Sequence, residues 1–282
     1  MNAHKKNEIL LFYFPFNIAI IDDDEDFLNL ISDNIIRKNI SKYTLPEKAI
    51  SDINPFNFKI SDLIIESNFK IYDLDYSNIK RYFYDKQMHH GIVISDYRMP
   101  KMDGIELLSR FNENDLIKIL LTGEFKIENA VKALNEKIID YYIEKDTLSS
   151  LENIISELEI QLFRKITKEI NKIIEKDSLF FLEDKIFIEL FNKILMENNI
   201  LKYHIINGYG WYFLENEKDR FILNIFHKKD LNLISEGYPS TEKEKIKKGQ
   251  LIPSYFSKPN DKNNLVPSEK HGNYSFCIEK IS

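Results

Sequence analysis

Three short stretches, Phe16–Ile21, Gly91–Ser95 and Lys118–Leu121, are almost wholly apolar, and each stops at a polar residue: Asp22, Asp96 and Thr122. A strand that is apolar on both sides must be covered on both faces, which restricts the first half of the chain to a parallel sheet flanked by helices. Ser41–Leu45 and Asp140–Ile143 complete a set of five strands. Amphipathic stretches lie between them, such as Asp26–Lys38 with Phe27, Leu28, Leu30, Ile31 and Ile35 turned inward. The expected class is α/β, a doubly wound five-stranded parallel sheet of flavodoxin-like type, followed by a second small α+β domain.

The rest of the composition fits this reading. Apolar residues make up 43% and charged residues 30%, and Gly and Pro number only 8 each, so most of the backbone belongs in regular elements. The net charge of −6 gives no overall cationic field to draw the chain to nucleic acid or an anionic membrane. The single Cys277 forms no internal disulfide and reads as a small core residue, and no Cys/His cluster has zinc spacing. Ile9–Ile21 is too short to span a bilayer and is broken by Pro15 and Asn17, so it is read neither as a signal nor as an anchor. The expectation is a cytoplasmic protein with no membrane partner.

No Gly or Pro occurs between Gly123 and Gly208. Leu151, Ile155, Leu158, Leu162, Ile166, Ile170 and Ile173 recur at spacings of three and four, and Ser149 with Glu152 forms a capping-box pattern. Residues 148–177 therefore read as a helical connector, its stripe packing on its own chain or forming a two-chain coiled coil. In residues 178–282, Asp184 caps a helix to about Asn198, and Lys202–Ile206, Trp211–Leu214 and Phe221–Phe226 form a meander. Thr241 with Glu244 marks another helix ending at Gly249, and Tyr274–Ile281 a last strand. Of the cluster Tyr209, Trp211, Tyr212 and Phe213, alternating members belong in a core, with one or two left over.

Chemistry concentrates at the strand ends. Asp22 and Asp23 follow the first strand, Asp96 the third, Thr122 the fourth and Lys145 the fifth. In a parallel sheet these carboxyl ends open on one edge, where such sheets bind ligands. Three carboxylates gathered there repel one another unless a hard divalent cation neutralises them, which points to Mg²⁺.

Here the sequence resembles the receiver domain of two-component response regulators over residues 1–147. The run Ile94-Ser95-Asp96-Tyr97-Arg98-Met99-Pro100-Lys101-Met102-Asp103-Gly104 resembles the phosphoacceptor segment. Ile20-Ile21-Asp22-Asp23-Asp24, Leu120-Leu121-Thr122-Gly123 and Tyr142-Ile143-Glu144-Lys145 follow the family's other motifs in order. The resemblance implies that Asp96 accepts a phosphoryl group from a sensor histidine kinase, a phosphotransfer protein or a small donor. Asp23, Asp96 and the main-chain carbonyl of Arg98 would hold Mg²⁺, with Asp22 acting through water. It implies further that Lys145 and Thr122 contact the phosphoryl group, that Gly123 leaves room for it, that Tyr142 moves with Thr122, and that Arg98 and Glu124 tune its lifetime. The domain would be a phosphoacceptor and not an enzyme, apart from slow self-dephosphorylation.

Two positions depart from the family. Asp146 stands where proline usually follows the lysine, and a cis bond before a non-proline residue costs about 2.5–4 kcal/mol. The stretch between Asp23 and Asp96 is also far longer than usual, through an insertion at about residues 52–76 rich in Phe56, Phe58, Phe69, Tyr72 and Tyr76, expected to pack locally over the sheet. Other classes fit less well. Haloacid-dehalogenase phosphatases share an Asp-rich first strand end, but their motif fails at Asp26 and leaves Asp96 unexplained. A DNA-binding output is the runner-up, yet from Lys176 onward 16 basic residues face 15 acidic ones, and no helix-turn-helix pattern is visible. The output is expected to act through dimerisation or contact with a protein target.

Overall fold

The computed structural model describes residues 8–35, 39–56, 59–66, 72–86, 89–111, 116–123, 127–174, 179–254 and 265–281. They group into two compact units that do not follow chain order: Pro15–Lys59 with Tyr84–Leu162, and Asn2–Phe14 with Ile60–Phe83 and Phe163–Ser282. The elements run β1 (Phe12–Tyr13), β2 (Asn17–Ile21), α1 (Glu25–Asn34), β3 (Ile40–Tyr43), α2 (Pro46–Asp52), β4 (Ile64–Glu66), β5 (Tyr72–Leu74), α3 (Tyr76–Lys86), β6 (His90–Asp96), α4 (Gly104–Ser109), β7 (Ile117–Thr122), α5 (Ile127–Asn135) and β8 (Tyr141–Glu144). After α6 (Leu151–Ile173) come α7 (Lys185–Glu197), β9 (Lys202–Ile205), β10 (Tyr212–Glu215), β11 (Arg220–His227), α8 (Lys228–Ser235), α9 (Ser240–Lys247), β12 (Leu251–Pro253), β13 (Leu265–Pro267), β14 (Glu269–His271) and β15 (Tyr274–Ile281). No described helix is long and apolar enough to cross a membrane.

The first unit is the expected flavodoxin-like sheet, five parallel strands in the order β3-β2-β6-β7-β8. Its three central strands are buried along almost their whole length, which is why they read as unbroken apolar runs. Asp24 caps α1, its Oδ1 accepting from the N–H groups of Asp26 and Phe27 at 3.0 and 3.1 Å. The helix buries Leu28 and Ile31, with Ile35 just beyond it, whereas Leu30 is exposed, correcting its assignment to the inner face. Leu30 lies about 200° around the helix from Leu28, on the opposite side.

The second unit is a six-stranded sheet among the described residues, in the order β1-β9-β10-β11-β15-β14, antiparallel throughout. Its meander and last strand are those read from the sequence. Tyr212 is fully buried, Trp211 and Phe213 nearly so, and Tyr209 is left half-exposed; one residue is left over as expected, but the buried three are consecutive and not alternating.

Other expectations need correction. The insertion does not pack over the parallel sheet as one piece: Phe56 does, its ring 4.7 Å from Phe16, but Ile60–Phe83 groups with the antiparallel unit. The reason is aromatic packing, since Phe83 lies 5.5 Å from Phe14 and 4.7 Å from the His204 ring. Phe58 and Phe69 lie outside the described residues, as does the side chain of Tyr72. Neither proposed capping box opens its helix. Ser149 lies within a 3₁₀ segment, Lys145–Ser150, that runs into α6, and Thr241 is already inside α9, which begins after Pro239. Gly249 does take the left-handed conformation that closes α9, with φ +62°.

The apolar stripe of α6 is largely covered by the chain itself, with Leu151, Ile155, Ile166 and Ile170 buried. Leu158 and Leu162 are half-buried, and Ile173 is exposed.

Gly104 opens α4 where its backbone meets β6. A Cβ there would lie 2.1 Å from the Asp96 carbonyl oxygen, and the Gly104 N–H donates to the Tyr97 carbonyl at 2.9 Å. Backbone cannot retreat as a side-chain tip can, so Gly104→Ala is expected to destabilise the protein by about 1–3 kcal/mol. A denaturant midpoint unchanged from wild type would refute this.

Candidate functional site

The carboxyl ends of the parallel strands bring the motif residues together. The strand order reverses between β2 and β6, and at that switch point Asp22 and Asp23 leave β2 while Asp96 ends β6. Oxygens of these three carboxylates lie within 4.8 Å of one another. Asp22 and Asp96 are buried and Asp23 is exposed.

Each group is held by local structure. Asp22 Oδ1 accepts from the Asp24 N–H at 2.9 Å, so the same acidic run that caps α1 also orients Asp22. Asp96 Oδ2 accepts from the Arg98 N–H at 2.8 Å. Lys145, first residue after β8, places its Nζ 2.8 Å from Asp22 Oδ2 and 2.9 Å from Asp96 Oδ1. No cis peptide occurs among the described residues, so Asp146 follows Lys145 through a trans bond, and the 3₁₀ turn starting at Lys145 still carries the ammonium into the cluster.

The electrostatics leave the cluster short of positive charge. Burial pushes the Asp22 carboxyl above the usual carboxylate range, and the Lys145 hydrogen bond brings it only part of the way back. Burial alone would lower the Lys145 ammonium, but its bonds to Asp22 and Asp96 outweigh that and hold it above its ordinary value. One ammonium against three carboxylates, with oxygen donors throughout, suits a hard divalent cation.

Thr122, at the end of β7, is buried. Beside it, among the described residues, a Cβ on Gly123 would meet only Lys145 Cδ, at the ordinary contact distance of 3.8 Å, so packing there does not demand a glycine. Tyr142 is half-buried against the core containing Ile21, Val93 and Leu120. Arg98 is exposed, and Glu124 lies outside the described residues. One further member leaves no sign in the residue order. The Lys145 ammonium lies 4.0 Å from the centroid of the Phe27 ring, a contact between distant parts of the chain that no spacing pattern could reveal.

Comparison with known proteins agrees with this geometry. The sequence profile of the response regulator receiver domain matches residues 63–159, which include Asp96, Thr122 and Lys145, while Asp22 and Asp23 lie outside the match. The Regulatory protein AtoC of Escherichia coli (strain K12) is 39% identical over 85 residues, 29% of this chain and 18% of that protein. The chain thus spans under a fifth of the length of this relative. The structure of the Legionella pneumophila response regulator LqsR shares the fold, with a TM-score of 0.72 at 24% identity, covering 97% of this chain and 90% of that one. With its strand order and gathered strand-end residues, the chain contains a response regulator receiver domain.

Proposed function

We propose that the protein is a two-component response regulator in which Asp96 accepts a phosphoryl group from a sensor histidine kinase, a phosphotransfer protein or a small acyl phosphate. The observation that carries this reading is the convergence of Lys145 on both Asp22 and Asp96, at 2.8 and 2.9 Å, in an acidic cluster at the sheet's switch point. A carboxylate oxygen of Asp96 attacks phosphorus as the bond from phosphorus to the donor nitrogen or oxygen breaks, and the electron pair leaves with the donor. The Arg98 N–H orients Asp96 for in-line attack. Lys145 shifts from the Asp96 oxygen to the transferred phosphoryl oxygens, and Thr122 donates its hydroxyl to one of them, with Gly123 leaving room. Asp23, Asp96 and the Arg98 carbonyl would hold Mg²⁺, with Asp22 acting through water, and the ion would supply positive charge to the phosphoryl oxygens.

Incubation with acetyl phosphate and Mg²⁺ tests this. One phosphoryl group should be added per chain by intact mass, none without Mg²⁺, and none in Asp96→Asn; undiminished incorporation in that variant would sink the assignment. The output is proposed to act through the antiparallel unit by protein contact or dimerisation, with Thr122 and Tyr142 moving on phosphorylation. Dimerisation through α6 would use what that helix leaves accessible, Leu158, Leu162 and Ile173. Fluoroberyllate is expected to raise the sedimenting mass to that of a dimer, and Leu158→Asp with Leu162→Asp to prevent it. An unchanged mass in the wild type would place the signal within one chain.

A further inference from the structure

We infer that Phe27 is a positioning residue for Lys145: its ring holds the ammonium at the acidic cluster and keeps it available to a phosphoryl group when the carboxylates turn to the metal. The inference rests on the proposed phosphoryl chemistry of the site.

A lysine ammonium has three N–H donors. Two face Asp22 and Asp96, and the ring of Phe27 lies 4.0 Å from the nitrogen. Ring and carboxylates differ in what they can do next. Asp22 and Asp96 are also the groups a divalent cation would engage, and a bound cation weakens their hold on the ammonium by repulsion and by drawing on the same oxygens. The π face of Phe27 binds no Mg²⁺ in competition, so its attraction for the ammonium persists after the metal has entered.

Phe27 is itself fixed from the same acidic run. Its N–H donates to Asp24 Oδ1 at 3.1 Å, and the Asp24 N–H donates to Asp22 Oδ1 at 2.9 Å. The contacts close a ring from Asp22 through Asp24 and Phe27 to Lys145 and back to Asp22. Any displacement of the first helical turn therefore moves the ammonium with it. Lys145 is a partly exposed side chain on a flexible stem, and ordering it in advance removes part of the entropy that binding a phosphoryl group would otherwise lose.

The test compares Phe27→Leu, which keeps an apolar group of similar size without the π face, with Phe27→Tyr, which keeps the ring. Mg²⁺ affinity is measured by calorimetry and fluoroberyllate affinity at saturating Mg²⁺ by fluorine NMR. The leucine variant should bind Mg²⁺ no more weakly than the wild type does and fluoroberyllate about three- to tenfold more weakly, and the tyrosine variant should recover it. In the metal-free wild type, the Lys145 ε-protons should be shifted upfield by the ring and return to ordinary values in Phe27→Leu. The inference is overturned if leucine leaves fluoroberyllate affinity unchanged, if it weakens both ligands equally, or if the ε-protons show no ring shift. A wild-type protein showing the ring shift but binding no fluoroberyllate would overturn the phosphoryl reading itself, and the role drawn from it.

Discussion

Mg²⁺ is expected to stabilise the wild-type protein and to leave Asp23→Asn unstabilised. One ammonium pairs with two of the three clustered carboxylates, so the cluster carries an excess of negative charge that a bound divalent cation would relieve. A ligand that binds only the folded state at about one hundred times its Kd stabilises by about 2.7 kcal/mol, which is the gain to be lost. Asp23 is exposed, so its amide leaves the fold intact while removing a proposed direct ligand. The effect has a pH signature. The Asp22 pKa is raised in the folded state, so its favourable contribution is fully present below the unfolded value, about 3.9, and disappears as pH rises through the folded one. Metal-free stability should fall across that window, and the gain from Mg²⁺ should grow as Asp22 ionises. Melting curves with and without Mg²⁺ at several pH values check both statements; an Asp23→Asn variant stabilised by Mg²⁺ as strongly as wild type would contradict them.

The second large effect concerns the antiparallel unit. A fragment of residues 178–282, where the change of pattern after Ser178 suggests a domain start, is expected not to fold. The unit's sheet begins with β1, whose Phe12 and Tyr13 pair with His204 and Tyr203 of β9. The Ile205 N–H donates to the Leu11 carbonyl at 2.8 Å and the Tyr212 hydroxyl to the Leu10 carbonyl at 3.2 Å. Phe12 and Phe14 pack on Phe163 at 5.5 and 5.1 Å, and Phe14 on Phe83. The fragment lacks all four phenylalanines, and each is almost completely buried. Losing one such side chain costs about 3–5 kcal/mol against a total stability of about 5–15 kcal/mol, so four missing rings exceed what remains. β9 would also become an open edge. A fragment with dispersed amide resonances and a cooperative melt would show this account of the unit to be wrong.

The contrast between the two units explains what the sequence could say. Strands buried on both faces print themselves as unbroken apolar runs ending in polar residues, so β2, β6 and β7, and with them Asp22, Asp96 and Thr122, could be located from residue order alone. The same property concealed β1. Phe12–Tyr13 and Asn17–Ile21 lie in one apolar stretch, and nothing periodic says that its two parts belong to different sheets; Pro15 and Asn17 are the only punctuation. The α6 stripe showed which residues are apolar but not what covers them, because a helix packed on its own chain and one packed on a second chain carry the same spacing. Lys145 could be placed near the carboxylates because all strand ends share one edge. Its contact with Phe27 could not, since it depends on the direction in which α1 leaves the sheet.

Asp96 is the proposed phosphoacceptor. This role is tested most directly by treating the acetyl phosphate-labelled protein with borohydride, which reduces an aspartyl phosphate to homoserine, and mapping the product by peptide mass spectrometry. Homoserine is expected at position 96 alone, in the Mg²⁺-containing sample alone. Reduction at Asp22 or Asp23, or a stable label that resists borohydride with Asp96 unmodified, would contradict it.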